Sequence, residues 1–310
     1  MSGTPLLLSH LQGCKRLLFI TGAGVSTASG IPDYRSPGRE PYKPLQHPDF
    51  VRSAEVRQRY WARSLLGWPR MASAAPNASH HALAALEAAG VCRALITQNV
   101  DRLHAKARHG GALLELHGTL FEVECLACGG AAPRLDRGHL QATMEVENAA
   151  WLRVHGSSAQ RRPDGDVELA GDSQAAYRAF CPPRCPRCGG DTLKPAVTFF
   201  GGSVPPAVAQ RSQDLAGEAD GVVVCGSTCS TFSAFRLVKA LAARGAPVVA
   251  IKVGPGRVDS VASLNVQGDC GEVLSEWCSA LGAPVAAVQA PLLSPAPVAP
   301  ALLGKLGTGE

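Results

Sequence analysis

Two cysteine pairs carry the clearest chemistry in the chain, Cys125-Leu-Ala-Cys128 and Cys185-Pro-Arg-Cys188. Two residues between thiolates let both sulfurs of a knuckle reach one tetrahedral Zn²⁺ at about 2.3 Å. Each pair is followed by two glycines, Gly129-Gly130 and Gly189-Gly190, which suit the tight turn of a knuckle. Four thiolates leave no open coordination position, so the expected ion is structural rather than catalytic. Cys181 lies nearby, but its spacing to Cys185 is wrong for a pair, and it is not assigned to the site. The eleven cysteines are an odd number. With the paired spacing, that favours metal binding in a reducing compartment over a disulfide framework.

A second pattern points to a phosphate-bearing ligand. Gly22-Ala23-Gly24-Val25-Ser26-Thr27 follows an apolar run and precedes a potential helix, where backbone N–H groups suit a pyrophosphate. Taken alone it fits a glycine-rich strand-to-helix turn equally well. The third glycine of the dinucleotide fingerprint is missing, and no acidic residue stands at the usual offset. His117 is a candidate general base, because imidazole titrates near neutral pH. An isolated histidine is more often structural, and its nearest rival, His104, reads as a packed or helix-surface residue.

The elements that must position these groups are legible as a repeated pattern. Leu17-Leu18-Phe19-Ile20, Ala94-Leu95-Ile96-Thr97, Gly221 to Cys225 and Val248 to Val253 are apolar runs that end in glycine or small polar residues. His81 to Ala89 and Phe232 to Arg244 read as helices, closed by Gly90 and Gly245. Strands buried on both faces imply an α/β fold, a Rossmann-like parallel sheet with helices on both faces. Ligands of such sheets bind outside the carboxyl ends of the strands. The stretch 118–200 breaks the pattern and reads as a smaller inserted zinc-ribbon domain. The division is then 1–117 and 201–282 for the Rossmann-like domain, 118–200 for the zinc-binding domain, and 283–310 for a disordered Pro/Ala-rich tail.

Composition sets outer limits. Of 310 residues, 46% are hydrophobic, enough for a sizeable core, and the net charge of +5 is too mild to suggest direct nucleic-acid binding. No apolar run of about 18 residues suggests a membrane span. The N-terminal residues lack the marks of a secretory signal or a clear transit peptide.

The longer string Thr21-Gly-Ala-Gly-Val-Ser-Thr-Ala-Ser-Gly-Ile-Pro-Asp-Tyr-Arg35 closely resembles the signature of the sirtuin family. So do Thr97-Gln-Asn-Val-Asp101, Leu114-Glu-Leu-His117-Gly118, and Lys194-Pro195 followed by Phe199-Phe200-Gly201. The likeness spans roughly Leu17 to Leu281. Gln46-His-Pro-Asp-Phe-Val-Arg-Ser53, Arg57-Gln-Arg-Tyr-Trp-Ala-Arg63 and Pro163-Asp-Gly-Asp166 are similar to class II members, the sirtuin four group.

This resemblance implies an NAD-dependent enzyme that removes acyl groups from protein lysines. The acyl oxygen attacks ribose C1′ and nicotinamide departs. A histidine then takes a proton from a ribose hydroxyl, and the products are free lysine, nicotinamide and O-acyl-ADP-ribose. By resemblance His117 is the base, Asn99 positions the ribose and the reacting centre, and Asp101 helps hold nicotinamide. Asp33 would bond the carboxamide, with Tyr34 and Arg35 shaping the cofactor loop. The remaining NAD contacts would be Gly22, Ala23, Gly24, Ser26, Thr27, Gln98, Val100, Gly226, Ser227, Thr228, Lys252, Val253, Gly254 and Cys270. Cys270 fits a buried small hydrophobe as well.

Some positions depart from the family. Thr228 replaces a serine and keeps its hydroxyl, Lys252 replaces an asparagine, losing a ribose acceptor but able to meet a phosphate, and Ala196 replaces an acid. The loop Ser36 to Pro44 is short, with Arg39 and Tyr42 in reversed order for recognising acidic acyl groups, so weak selectivity for succinyl-lysine is expected. Two other readings stand beside deacylation: ADP-ribosyl transfer to protein at the same NAD site, and a non-enzymatic zinc-ribbon binding module. The expected partners are acyl-lysine proteins, with no membrane and no second subunit. The sirtuin four resemblance implies the mitochondrial matrix, and the lack of a clear transit peptide the cytoplasm.

Overall fold

The computed structural model describes residues 4–33, 44–156, 159–161, 167–169 and 174–285. Within them the strands are Leu17–Thr21 (β1), Cys92–Thr97 (β2), Ala112–Glu115 (β3), Gly118–Cys125 (β4), Leu135–Asp136 (β5), Ala159–Arg161 (β6), Val167–Leu169 (β7), Leu193–Val197 (β8), Gly221–Cys225 (β9), Val248–Lys252 (β10) and Leu264–Gln267 (β11). Six of them form one parallel sheet in the order β11-β10-β9-β1-β2-β3. All four apolar runs are strands of this sheet. β3 and β11 add its two edges.

Alternation along the central strands explains the layers. Every residue of β1, β9 and β10 is buried. Phe19, Val223, Cys225, Val249 and Ile251 face one side, where they pack with Leu83, Leu86, Leu274 and Trp277. Leu18, Ile20, Val222, Val224, Val248 and Ala250 face the other and meet Leu215, Leu237, Val238 and Leu241. Successive side chains of a strand point to opposite faces, so a strand apolar throughout needs helices on both. The helices Ala78–Ala88 and Cys270–Ala280 cover the first face, and Pro206–Glu218 and Phe232–Ala243 the second. The expected helices at 81–89 and 232–244 thus match to within a few residues. Each buried Leu or Ile contributes on the order of 2 kcal/mol relative to exposure.

From β1 the chain proceeds outward through β2 and β3 on one side and through β9, β10 and β11 on the other. The strand order therefore reverses between β1 and β9. In open parallel sheets the ligand crevice forms at that switch point, beyond the carboxyl ends of the strands.

The inserted stretch forms an antiparallel sheet in the order β5-β4-β8 and a hairpin of β6 and β7. Its core contains Val123, Leu140, Met144, Trp151, Phe180 and Leu193. The long helix Ala54–Ser73 joins it: Trp61, Ala62 and Leu65 lie in the same cluster, and Trp61 Nε1 donates to the Leu193 carbonyl at 3.0 Å. Arg137 is buried between the rings of Trp61 and Trp68, at 5.5 and 4.7 Å from their centroids. At the far end of the chain, Ala283 and Val285 pack against the first face of the large sheet, and 286–310 lie outside the described residues. No helix among the described residues is long and apolar enough to cross a membrane.

Candidate active site

The crevice at the switch point is closed by glycines. Gly22 N–H donates to Cys225 O at 3.1 Å and Gly24 N–H to Gly226 O at 2.9 Å, which pins the turn after β1 to the end of β9. A Cβ on Gly24 would lie 2.8 Å from Gly226 Cα, so only backbone fits between them. The residues Ala23–Ser29 then form a short 3₁₀ helix rather than a full α-helix.

Ser26, Asn99 and Asp101 meet at the floor of this crevice. Ser26 Oγ donates to Asp101 Oδ2 at 2.7 Å, and Asn99 Nδ2 donates to Ser26 Oγ and to Gly22 O, both at 3.1 Å. The other Asp101 oxygen accepts from Leu103 N–H at 2.9 Å. Burial raises the Asp101 carboxyl above its ordinary range, and the bonds from Leu103 and Ser26 oppose that rise. These contacts hold the side chains after β1 and β2 in one network rather than as a solvated loop.

His117 sits where β3 hands over to β4. Its Nδ1 lies 3.0 Å from the Gln98 carbonyl oxygen, and its Nε2 lies 2.8 Å from Ser233 Oγ. A carbonyl only accepts, so Nδ1 carries the proton and Nε2 presents its lone pair. Burial lowers the His117 pKa, against the bond to Gln98, so the ring is a neutral base at pH 7. Gln98 is itself fixed, since its Nε2 donates to Ser227 Oγ at 2.8 Å and to Thr21 O at 3.1 Å.

Gly118, the next residue, has φ +81°, and a Cβ there would fall 2.0 Å from the Ala196 carbonyl oxygen. The backbone of β4 must pass that close to β8 to place His117. Gly118→Ala is expected to lower stability by about 2 kcal/mol or more and to displace the His117 ring. Calorimetric melting together with the deacylation rate checks this, and an unchanged melting temperature would refute it.

The four paired cysteines also converge. Their sulfurs lie within 4.8 Å of one another, with Cys125 and Cys188 at 3.6 Å and Cys128 and Cys185 at 3.8 Å. A tetrahedron with bonds of about 2.3 Å has edges of about 3.8 Å, so the thiol set fits one Zn²⁺. No disulfide forms among the described cysteines.

Residues 22–233 match the family model described as the Sir2 family. The chain belongs to the Sir2 family. Among its relatives is an NAD-dependent protein deacetylase of Bordetella bronchiseptica, 44% identical over 90% of this chain and 98% of the relative. The mitochondrial NAD-dependent protein lipoamidase sirtuin-4 of Bos taurus is 45% identical over 84% of this chain and 81% of its own. Among solved structures, a Sir2 complex with p53 peptide and NAD⁺ is 26% identical with a TM-score of 0.68, covering 91% of this chain and 99% of that one. A Sir2 protein bound to a propionylated peptide has a TM-score of 0.67 at 26% identity.

Within this Sir2 chain most of the expected NAD contacts lie at or just beyond the carboxyl ends of β1, β2, β9 and β10. Gly22, Ala23, Gly24, Ser26, Gln98, Asn99, Asp101, Gly226 and Ser227 surround the switch point. Thr27 is exposed beside them, and Val100 leads from β2 toward Asp101. Thr228, Lys252, Val253 and Gly254 lie along the ends of β9 and β10. There Lys252 is drawn inward: its Nζ lies 2.8 Å from Asp259 Oδ1 and donates to Gly254 O at 2.6 Å. That side chain closes its own loop and is not free for a phosphate. Cys270 is buried against the sheet, with its thiol directed at the Ile251 carbonyl at 3.3 Å. Its side chain is a core group, and burial pushes its pKa up to about 12. Asp33 is half-buried near the end of the described turn, while Tyr34, Arg35 and residues 36–43 of the loop lie outside the described residues, as do Pro163 to Asp166.

His104 is packed, as its sequence reading allowed, whereas His80, Thr231 and Ser233 are groups that sequence reasoning alone misses. His104 is buried, its Nε2 lies 2.9 Å from Thr21 Oγ1, and its ring is tilted against that of His80 with the centroids 4.8 Å apart. Burial lowers both imidazoles, His80 to about 3, so they serve as neutral packing and hydrogen-bonding groups. Thr231 and Ser233, at the start of the helix Phe232–Ala243, contact Gln98 and His117. No local motif marks either residue.

Proposed function

We infer that this chain is an NAD-dependent protein-lysine deacylase with one structural zinc ion, and we propose His117 as its general base. The observation that carries the base assignment is the fixed tautomer, with Nδ1 committed to Gln98 O and Nε2 left as the acceptor, facing Ser233 Oγ. NAD, when bound, supplies the ADP-ribosyl group that leaves nicotinamide and accepts the acyl group.

The chain's own residues then have distinct tasks. The backbone of Gly22 to Gly24 and Gly226 shapes the turn against which a pyrophosphate rests. Asn99 and Asp101 orient the ribose and the nicotinamide end, held by Ser26 and the Leu103 N–H. His117 Nε2 takes a proton from a ribose hydroxyl, and Gln98 O stabilises the imidazolium through Nδ1–H. Cys125, Cys128, Cys185 and Cys188 hold the zinc that keeps the small lobe folded.

Transfer of ADP-ribose to protein would use the same crevice, and the two are separated by where label from NAD ends. The relatives' deacetylase and lipoamidase names, rather than a binding-module role, support an enzyme. They also support uncharged acyl groups, so succinyl peptides are not expected to be preferred strongly over acetyl or long-chain ones. Bacterial relatives beside the mitochondrial one favour a cytoplasmic setting over the matrix that the sirtuin four resemblance implies.

The pH profile tests the base. The neutral ring is the active form, and burial lowers its pKa from the usual 6.5. Deacylation kcat/KM should therefore be flat near pH 7 and fall only as pH drops through a midpoint below 6.5. A limb centred above 6.5 would contradict a base tuned by burial.

A further inference from the structure

The half-buried Ser233 makes a contact that the proposed chemistry does not use. Its hydroxyl lies 2.8 Å from Nε2, the one nitrogen of His117 that can act as a base. Since Nδ1–H points at Gln98 O, Nε2 accepts and Ser233 Oγ–H donates. The neighbouring Thr231 Oγ1 donates to Gln98 Oε1 at 3.0 Å. One short turn at the start of the helix Phe232–Ala243 thus grips the base directly and, through Gln98, the residue that orients it.

We propose that Ser233 is a positioning residue that holds the His117 ring between two hydrogen bonds, with Nε2 aimed into the crevice, and yields Nε2 to the sugar hydroxyl when NAD and acyl peptide bind. This rests on the assignment of His117 as base. An imidazole anchored only at Nδ1 can swing about that bond. A second anchor at Nε2 fixes its direction, and a hydroxyl can be displaced by another hydroxyl with little change in hydrogen bonding. No covalent bond to Ser233 forms or breaks.

The test compares Ser233→Ala and Ser233→Thr with the wild-type chain in two assays. One is deacylation of an acetyl-lysine peptide. The other is exchange of labelled nicotinamide into NAD, which needs the peptide and cleavage of the nicotinamide bond but not the proton taken by His117. Alanine is a good helix former at this second helical position, so folding is not threatened. Ser233→Ala should lower deacylation kcat about tenfold and change exchange less than twofold. Ser233→Thr, which keeps the hydroxyl, should stay within about threefold of wild type in both. Unchanged deacylation in Ser233→Ala, or a parallel fall in exchange, would overturn the proposal. His117→Ala is the separate control: if it deacylates normally, the base assignment itself fails, whatever Ser233 does.

Discussion

His117→Ala should lower the deacylation rate by about 10²–10⁴, the usual contribution of a positioned general base. The ring's geometry sets this expectation. Nδ1 is committed to the Gln98 carbonyl, Nε2 carries the lone pair, and burial keeps the ring neutral at pH 7. Among the described residues nothing nearby replaces it. His104 and His80 are buried and tied to Thr21 and Ser26. Asp101 is committed to Ser26 and Leu103. The alanine variant should still cleave nicotinamide from NAD in the presence of acyl peptide, because that bond breaks before the base acts. Loss of exchange and deacylation together would show that His117 is needed for binding rather than for proton removal.

Cys185→Ser is the second large effect, and it falls on stability. Cys185 is buried in the small-lobe core with Trp61, Trp151 and Leu193, and its carbonyl accepts the Gly189 N–H at 2.8 Å. The metal would tie this knuckle to the one at Cys125 to Cys128, adding to the bonds that Leu126 N–H and Ala127 N–H make to Thr192. Structural zinc binding is worth about 10–16 kcal/mol, comparable to or larger than the roughly 5–15 kcal/mol stability of a whole domain. The variant should lose its zinc, expose the small lobe to protease and melt at a much lower temperature. Elemental analysis and limited proteolysis check this. A full equivalent of zinc with wild-type melting would refute the four-thiolate site.

The large sheet was legible in the sequence because its central strands are buried on both faces. Leu17 to Ile20, Gly221 to Cys225 and Val248 onward are continuous apolar runs, and only a parallel sheet covered on both sides explains them. Its edges were not legible. In Leu264–Gln267 only Val266 is buried, and in Ala112–Glu115 no residue is fully buried, so neither reads as a run. The helix Ala54–Ser73 escaped notice because arginines occupy its buried face. Arg57 lies there with its guanidinium bonded to Asp191 and to the Phe50 and Val51 carbonyls.

At the site, cysteine spacing marked the metal ligands directly, since both pairs are local. Lys252 was visible as a departure, but its partner Asp259 follows a glycine-rich loop that no spacing rule describes. Ser233 lies 116 residues from His117 in sequence, and only the fold brings them together.

The most direct test is incubation of the zinc-loaded chain with NAD and a panel of acyl-lysine peptides, following every product by mass spectrometry. Nicotinamide, free-lysine peptide and O-acyl-ADP-ribose should appear in equal amounts, with none formed when NAD is omitted. Absence of nicotinamide release with every acyl peptide, or ADP-ribose recovered on protein in place of O-acyl-ADP-ribose, would contradict the deacylase assignment.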